Sequence, residues 1–266
     1  KEKSRSEFLF VAEDTESGRV VGSSLIIPKH GTKENPHSFF RIEREEKFSD
    51  DLGLGFVHQV LKLHQDFSGP TEIGGLLVDA SYRRRPEKIG RQISMIRFVY
   101  MGMFQKKFEP NILCELTPPL TSEGRSEFWE ALGRRFTGLP YQEADIISQN
   151  HKEFIKSLFP QTPIYMSLLS AEARLVVGRV GESTRPAQHL LEKLGFKYLN
   201  EIDPFDGGPH YGVKMAEVPL IRDGAEYKVK VGGKAKFTNI GLVGLVVDGK
   251  FRGCQSPYET SEKQAR

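Results

Sequence analysis

The chain has 266 residues, of which 38% are hydrophobic and 10% aromatic, so it can fill one large core or two modest ones and is not a disordered protein. Its 38 Lys and Arg residues nearly balance 35 Asp and Glu residues, which leaves a net charge of +3. This balance excludes the strongly basic surface of a dedicated nucleic-acid binder but suits an anionic small ligand such as a phosphorylated cofactor.

The first elements are strands. Two apolar runs, Phe8–Ala12 and Val20–Ile27, flank the turn residues Asp14–Gly18 and predict a β-hairpin. Ser38–Glu43 predicts a third strand, whereas Phe56–His64 is a short amphipathic segment whose type the pattern leaves open.

A strand, a basic turn, a helix and a second strand follow, which together form an α/β unit. Thr71–Val78 predicts the strand, Ser81–Lys88 the turn, and Asn111–Leu116 the second strand. A long helix is predicted to begin near Glu87. It is predicted because apolar residues recur at spacings of three and four: Ile89, Ile93, Ile96, Tyr100 and Phe104.

The second half of the chain is mainly helical. Its periodicity predicts helices over Ser126–Phe136, Tyr141–Leu158, Ser170–Val177 and Thr184–Leu194. Strands are predicted over Phe196–Ile202 and Tyr211–Met215, joined by a Gly-Gly-Pro turn. Beyond Arg222 the sequence is turn-rich and strand-like, and it ends in a polar tail from Ser256.

The two cysteines, Cys114 and Cys254, form no CxxC pair, and no Cys/His group has the spacing of zinc ligands. This pattern predicts no metal and a reducing, cytoplasmic location. No apolar run approaches the ~20 residues of a membrane span, so no membrane association is expected. The sequence begins at Lys1 rather than Met and enters a strand almost at once, so we expect a missing N-terminal segment.

Two short motifs have the chemistry of an acyl-CoA site. A helix N-terminus with added cations can hold a phosphate, and Arg85–Gly90 resembles the Arg/Gln-x-x-Gly-x-Gly/Ala motif that binds the CoA pyrophosphate in the GNAT superfold. Pro186–Phe196 resembles a later GNAT motif, with Leu191 where many members have Tyr. Alone, the first run is equally well interpreted as a solvated basic turn, and the second is better interpreted as an ordinary amphipathic helix.

Three longer runs point to one family. Glu127–Phe136, Phe159–Tyr165 and Asn200–Pro209 resemble the arginine N-succinyltransferases, and the resemblance extends from about Phe8 to about Arg222. It implies an α+β fold of GNAT-like type, with a mixed twisted sheet flanked by helices, a helical insertion and a second GNAT-like or β-rich C-terminal part.

The resemblance also implies three segments. Residues 1–120 form a GNAT-like acyl-CoA-binding half, and residues 121–222 form a helical and GNAT-like second half. Residues 223–266 form a short β-rich segment and a polar tail.

Enzymes of this family transfer succinyl from succinyl-CoA to the α-amino group of L-arginine, in arginine catabolism, and some act on ornithine. The resemblance therefore implies succinyl-CoA as the acyl donor, no metal, and an oligomer with the same or a similar chain. Two alternatives stay open: a GNAT N-acyltransferase with another acyl group or amine acceptor, and a catalytically silent CoA-binding subunit.

The residues expected to bind acyl-CoA lie on the predicted strand and in the basic turn. The backbone of the strand would pair with the pantetheine amides, as an added strand does. These residues are Leu76, Leu77, Val78, Arg84, Arg85, Lys88, Gly90 and Arg91.

The family's proton-donating His corresponds to Gly181 in this sequence, which has no side chain. His210 is a possible substitute, although a lone His is more often structural. Glu115, at the end of a strand, is a candidate proton acceptor for the amine, or else the ion-pair partner of an Arg. Asp203 and Asp206 are candidates to hold the guanidinium of the substrate, although Asp206 also suits a turn.

Overall fold

The computed structural model describes residues 7–148, 153–228, 237 and 239–259. They form a mixed α/β fold with eleven strands and eight α-helices. The chain divides into two compact units that are interleaved in sequence. The first unit comprises residues 1–28, 71–112 and 213–266, and the second comprises residues 29–70 and 113–212.

The strands are β1 (Phe8–Asp14), β2 (Arg19–Ile27), β3 (His37–Ser49), β4 (Leu54–Asp66), β5 (Thr71–Val78), β6 (Asn111–Glu115), β7 (Ile164–Tyr165), β8 (Lys197–Ile202), β9 (Pro209–Lys214), β10 (Asn239–Val247) and β11 (Lys250–Tyr258). The α-helices are α1 (Ile89–Met103), α2 (Glu127–Ala131), α3 (Gly133–Thr137), α4 (Tyr141–Ser148), α5 (Glu153–Leu158), α6 (Ala171–Val176), α7 (Arg185–Lys193) and α8 (Pro219–Arg222). Among the described residues, no helix combines the length and the apolar character that a membrane span needs.

In the first unit, β2 pairs antiparallel with both β1 and β5. The β1–β2 hairpin predicted from the sequence is therefore confirmed. Helix α1 covers this sheet and is joined to it by a hydrogen bond from Ser24 Oγ to the carbonyl of Ile93, 2.8 Å long. Its apolar residues at helical spacing, among them Ile93, Ile96 and Tyr100, are buried as the periodicity predicts.

The strand-like C-terminal region forms the hairpin β10–β11, which packs against α1. Two glycines permit the close approach. A Cβ on Gly253 would lie 2.4 Å from Ile96 Cδ1, and one on Gly244 would lie 2.9 Å from Val99 Cγ1.

In the second unit, strands follow the order β9-β8-β3-β4-β7, and each neighbouring pair is antiparallel. The segment Phe56–His64, left open by the sequence pattern, lies within β4, which pairs with β3 over thirteen residues. Its short amphipathic pattern arises because only part of the strand is covered: Val60 and Leu61 are buried, whereas Phe56 is 62% exposed.

The helix predicted over residues 126–136 is two helices. Ser126 caps α2, its hydroxyl accepting the N–H of Trp129 at 3.0 Å. The chain then turns at Leu132, and Gly133 packs directly on the buried Trp129 ring, where a Cβ would lie 2.2 Å from the ring carbon Cε3. Tight packing against the Trp129 indole thus divides the single helix that the sequence periodicity predicts.

The helix predicted over Tyr141–Leu158 corresponds to α4 and α5, and the residues that join them lie outside the described part of the chain. The predicted three consecutive segments, 1–120, 121–222 and 223–266, also differ from the observed units, which are discontinuous in sequence. That residues 1–120 bind CoA stays a prediction.

Arg97 is a buried cation on α1, with 2% of its surface exposed. Its guanidinium donates to the carbonyls of Ser94, Gly74 and Leu25, at 3.0, 3.1 and 3.4 Å. The side chain therefore joins α1 to both β2 and β5, at one buried carbonyl group and two that are partly buried.

We expect Arg97→Met to lower the free energy of unfolding by about 2–4 kcal/mol, because buried carbonyls then lose their donors. Urea denaturation measures this change. Arg91→Met, on the exposed part of the same helix, is the matched control and should change stability by no more than about 0.5 kcal/mol. Equal unfolding midpoints for the two variants would contradict the role of Arg97.

Candidate active site

Glu115 is the last residue of β6 and belongs to the second unit. Its side chain is 29% exposed, and its Oε1 atom lies close to a nitrogen atom of each of three histidines. The distances are 3.7 Å to His37 Nδ1, 3.7 Å to His210 Nε2 and 3.9 Å to His30 Nε2. We refer to these four residues as the Glu115 cluster.

Two of the histidines come from the start of β3 and the loop before it. His37 opens the strand and its side chain is 4% exposed, whereas His30 is 16% exposed. The loop is held by a hydrogen bond from the N–H of His30 to the carbonyl of Pro70, 2.7 Å long. Gly69 permits this approach, because a Cβ there would lie 1.8 Å from the carbonyl oxygen of His30. Backbone contacts therefore determine where His30 lies.

The third histidine, His210, lies in β9 and is fully buried. Its ring stacks on that of His37 with centroids 5.2 Å apart, and the ring of His30 meets His37 edge-on at 4.6 Å. The structure thus brings together Glu115 and His210, both selected from the sequence. His30 and His37 were not predicted, because no local pattern connects them with residues so distant in the chain.

Asp203 and Asp206 shape the turn between β8 and β9. Asp203 Oδ1 accepts two backbone N–H groups of the turn at 2.6 and 3.1 Å, and Asp206 Oδ1 accepts the N–H of Gly208 at 2.7 Å. Burial, and then the nearby Asp203 carboxylate, raises the pKa of Asp206 well above its usual value. Asp203 offers an oxygen within 4.8 Å of ligand atoms of Glu115 and His210.

In the described part of the chain, two overlapping groups of side chains have metal-ligating atoms within 4.8 Å of one another. One consists of His30, His37 and Glu115, and the other of Glu115, Asp203 and His210. Sequence spacing indicated no such group, because zinc motifs with regular spacing place their ligands close together in the chain.

The basic turn between β5 and α1 lies in the first unit. Arg84 and Lys88 adopt left-handed backbone conformations, with φ of 61° and 51°, which are uncommon for residues other than glycine. Lys88 is also the N-cap of α1, and its side chain makes no capping hydrogen bond. The N-terminal turn of α1 therefore carries partial positive charge and exposed cations, a combination that suits an anion.

The other predicted residues of the turn have different contacts. Arg85 stacks on the ring of Tyr82 at 3.8 Å, and its Nε donates to the carbonyl of Ser81. A Cβ on Gly90 would lie 3.3 Å from Val78 Cγ2, so glycine allows α1 to begin close to β5. Arg91 is exposed.

A β-bulge interrupts β5 beside the residues predicted to pair with acyl-CoA. Ser23 pairs with Leu77 and Leu25 with Gly74, so β5 advances three residues while β2 advances two. Gly75, with φ of 58°, supplies the extra residue. Leu77 is 66% exposed, whereas Leu76 and Val78 are half-buried.

Comparison with known proteins identifies the relatives of this chain. Residues 1–220 match the family model described as the beta subunit of arginine N-succinyltransferase. The chain belongs to the arginine N-succinyltransferase family. This confirms the family and the acyltransferase class that were predicted from the sequence.

Curated members of the family are similar over most of this chain. It is 37% identical to the arginine N-succinyltransferase of Photorhabdus laumondii over 235 residues, which cover 88% of this chain and 67% of that protein. It is 36% identical to the enzyme of Yersinia enterocolitica, over 84% of this chain and 64% of that protein. The chain therefore spans about two thirds of the length of these relatives.

A solved structure has the same fold. It is the arginine/ornithine succinyltransferase subunit AI from Pseudomonas aeruginosa, which superposes with a TM-score of 0.83 at 27% identity. The match covers 98% of this chain and 75% of that one.

One position of the family resemblance has a distinct environment here. Gly181, which the sequence resemblance matches to the family's proton-donating His, donates its N–H to the carbonyl of Thr117 at 2.9 Å. A Cβ on Gly181 would lie 2.7 Å from the carbonyl oxygen of Pro118. A side chain at this position therefore requires the backbone to move.

We expect Gly181→His to lower the free energy of unfolding by about 1–3 kcal/mol, because the added Cβ atom overpacks against the Pro118 backbone. Ser183→His introduces the same side chain two residues away at an exposed position and serves as the control. Thermal unfolding of both variants checks the prediction. A Gly181→His protein as stable as the Ser183→His protein would show that the backbone segments around Gly181 and Pro118 separate easily.

Proposed function

We propose that this chain transfers succinyl from succinyl-CoA to the α-amino group of L-arginine. Membership of the arginine N-succinyltransferase family supports the reaction type. The observation that carries the assignment of the site is the convergence of three imidazoles on the Glu115 carboxylate. A carboxylate with imidazole neighbours can accept the proton that an attacking amine must lose.

In the proposed reaction, the free amine attacks the thioester carbonyl directly. A C–N bond forms, the C–S bond breaks, and CoA leaves as a thiolate. The nitrogen loses one proton, which Glu115 accepts, and His210 at 3.7 Å can carry the proton onward. A thiolate is a weakly basic leaving group, so the absence of an acidic side chain at position 181 is compatible with turnover.

Asp203 is the better of the two predicted ligands for the guanidinium. It lies near Glu115 and His210, and a charged carboxylate forms strong hydrogen bonds with a guanidinium. Asp206 Oδ1 accepts the N–H of Gly208 within the turn, and burial raises the pKa of this carboxyl, so we assign Asp206 to the turn alone.

We assign the acyl-CoA to the first unit and propose that its fold is of the GNAT type. The β-bulge at Gly75, the left-handed residues Arg84 and Lys88, and the start of α1 support this assignment. The bulge lies beside Leu76–Val78, the backbone that we propose pairs with the pantetheine amides, and the turn suits the pyrophosphate. A cytoplasmic location and an oligomer with a similar chain stay predictions.

We expect Glu115→Gln to lower kcat by roughly 10²–10⁴-fold, because the amide cannot accept a proton. The KM for succinyl-CoA should not change. Steady-state release of CoA thiol with and without arginine measures both constants, and Glu182→Gln, at an exposed position of the same unit, is the control. Wild-type kcat in Glu115→Gln would remove Glu115 from the mechanism.

We expect the double variant Arg84→Gln, Lys88→Gln to raise the KM for succinyl-CoA about tenfold, equivalent to about 1.4 kcal/mol. The KM for arginine at saturating succinyl-CoA should stay the same, because the lost charges contact only the pyrophosphate. Lys106→Gln, beyond the other end of α1, is the control. An unchanged KM for succinyl-CoA would place the pyrophosphate elsewhere.

The same assay separates the alternatives. Acetyl-CoA in place of succinyl-CoA, and ornithine in place of arginine, test the acyl group and the acceptor. Binding of CoA without thiol release for any pair would favour a catalytically silent subunit.

A further inference from the structure

The Glu115 cluster is a set of side chains whose atoms converge on one point. Three imidazole nitrogens lie 3.7–3.9 Å from a single carboxylate oxygen. Within it, one nitrogen of His30, one nitrogen of His37 and one carboxylate oxygen of Glu115 also lie within 4.8 Å of one another. Two imidazoles and a carboxylate form a common ligand set for a divalent transition metal.

The distances are close to those of a bound metal. Zn²⁺ binds imidazole nitrogen and carboxylate oxygen at about 2.0–2.2 Å, so its tetrahedral ligand atoms lie about 3.3 Å apart. The present separations from Glu115 Oε1 are 3.7 Å for His37 and 3.9 Å for His30. The two histidine nitrogens lie within 4.8 Å of each other, so rotations of the side chains that move the atoms by roughly an ångström are enough to enclose the ion.

The scaffold makes the arrangement rigid while leaving an entry. His37 and Glu115 lie on strands, and the ring of His37 is stacked between neighbouring rings of Phe39 and His210. His30 and Glu115 are 16% and 29% exposed, so an ion and its remaining water ligand can reach the cluster from that side. Nitrogen-rich ligands favour Zn²⁺ or Co²⁺ over Mg²⁺ and Ca²⁺, which prefer oxygen.

We propose that His30, His37 and Glu115 bind a divalent transition metal such as Zn²⁺, and that the bound metal inhibits acyl transfer. The inhibition rests on the proposed function, because a metal-bound carboxylate cannot accept the proton of the amine. Binding itself does not depend on that function. The metal is thus an inhibitor that competes with the amine, not a cofactor of the reaction.

Binding is tested on the full chain, stripped with EDTA and titrated with Co²⁺, by the visible absorption of four- or five-coordinate Co²⁺. We expect one Co²⁺ per chain, displaced by Zn²⁺ and not by Mg²⁺. His30→Ala and His37→Ala should each weaken binding at least roughly tenfold, because even the loss of a side chain that only supports a ligand typically costs about that much. His189→Ala, at an exposed position on α7, should bind as the wild type does.

His30 is the more exposed of the two histidines, so its variant keeps the test valid if His37→Ala fails to fold. Circular dichroism checks the fold of each variant. Absence of the Co²⁺ band in the wild type, or an affinity unchanged in a folded His30→Ala protein, would overturn the proposed site.

Inhibition is measured by chromatography of the acylated amine, because released CoA thiol itself binds Zn²⁺. Each variant is compared with its own activity in EDTA. We expect Zn²⁺ to inhibit the wild type and EDTA to reverse the inhibition. In His30→Ala, the inhibiting concentration of Zn²⁺ should rise tenfold or more. Zn²⁺ binding without inhibition, or activity that appears only with added metal, would overturn the inhibitory role. An enzyme that binds Co²⁺ but is inactive both in EDTA and with added metal would refute the proposed function and leave the metal site in place.

Discussion

The arrangement of the candidate site depends on the close approach of other backbone segments to the residues that follow β6. The N–H of Leu116 donates to the carbonyl of Pro209 at 3.1 Å, and a Cβ on Gly208 would lie 2.4 Å from the carbonyl oxygen of Leu116. Gly181 makes a comparable approach one and two residues further along. Because these positions carry no side chain, Glu115 at the end of β6 and His210 just after Pro209 are held at a fixed separation.

The cluster concentrates groups that can bind a proton or a cation. Three imidazole nitrogens lie 3.7–3.9 Å from Glu115 Oε1. Stacking of the histidine rings limits how they can rotate, so the ligand atoms stay directed at the carboxylate. Carboxylate and imidazole atoms that can accept a proton can for the same reason bind a metal ion. A bound proton and a bound metal ion exclude each other at Glu115.

The first unit uses a buried charge for a different purpose. Arg97 donates to carbonyls on α1, β2 and β5, including that of Gly74 beside the bulge. Through this side chain, the helix that starts at the basic turn and the strand with the bulge form one rigid support. The strained backbone of Arg84 and Lys88 therefore lies between two elements, β5 and α1, that Arg97 holds together.

The sequence by itself determined the features that have local causes. Alternating and helical periodicity predicted the β1–β2 hairpin and α1, turn chemistry predicted the β8–β9 connection, and longer motifs predicted the family, all in agreement with the structure. Glu115 and His210 were selected because of their residue type and position. Only the tertiary structure decided that Phe56–His64 belongs to a long strand and that packing on Trp129 divides a helix. It alone placed His30 and His37 beside Glu115, because strand pairing and glycine contacts between distant segments leave no mark on local sequence patterns.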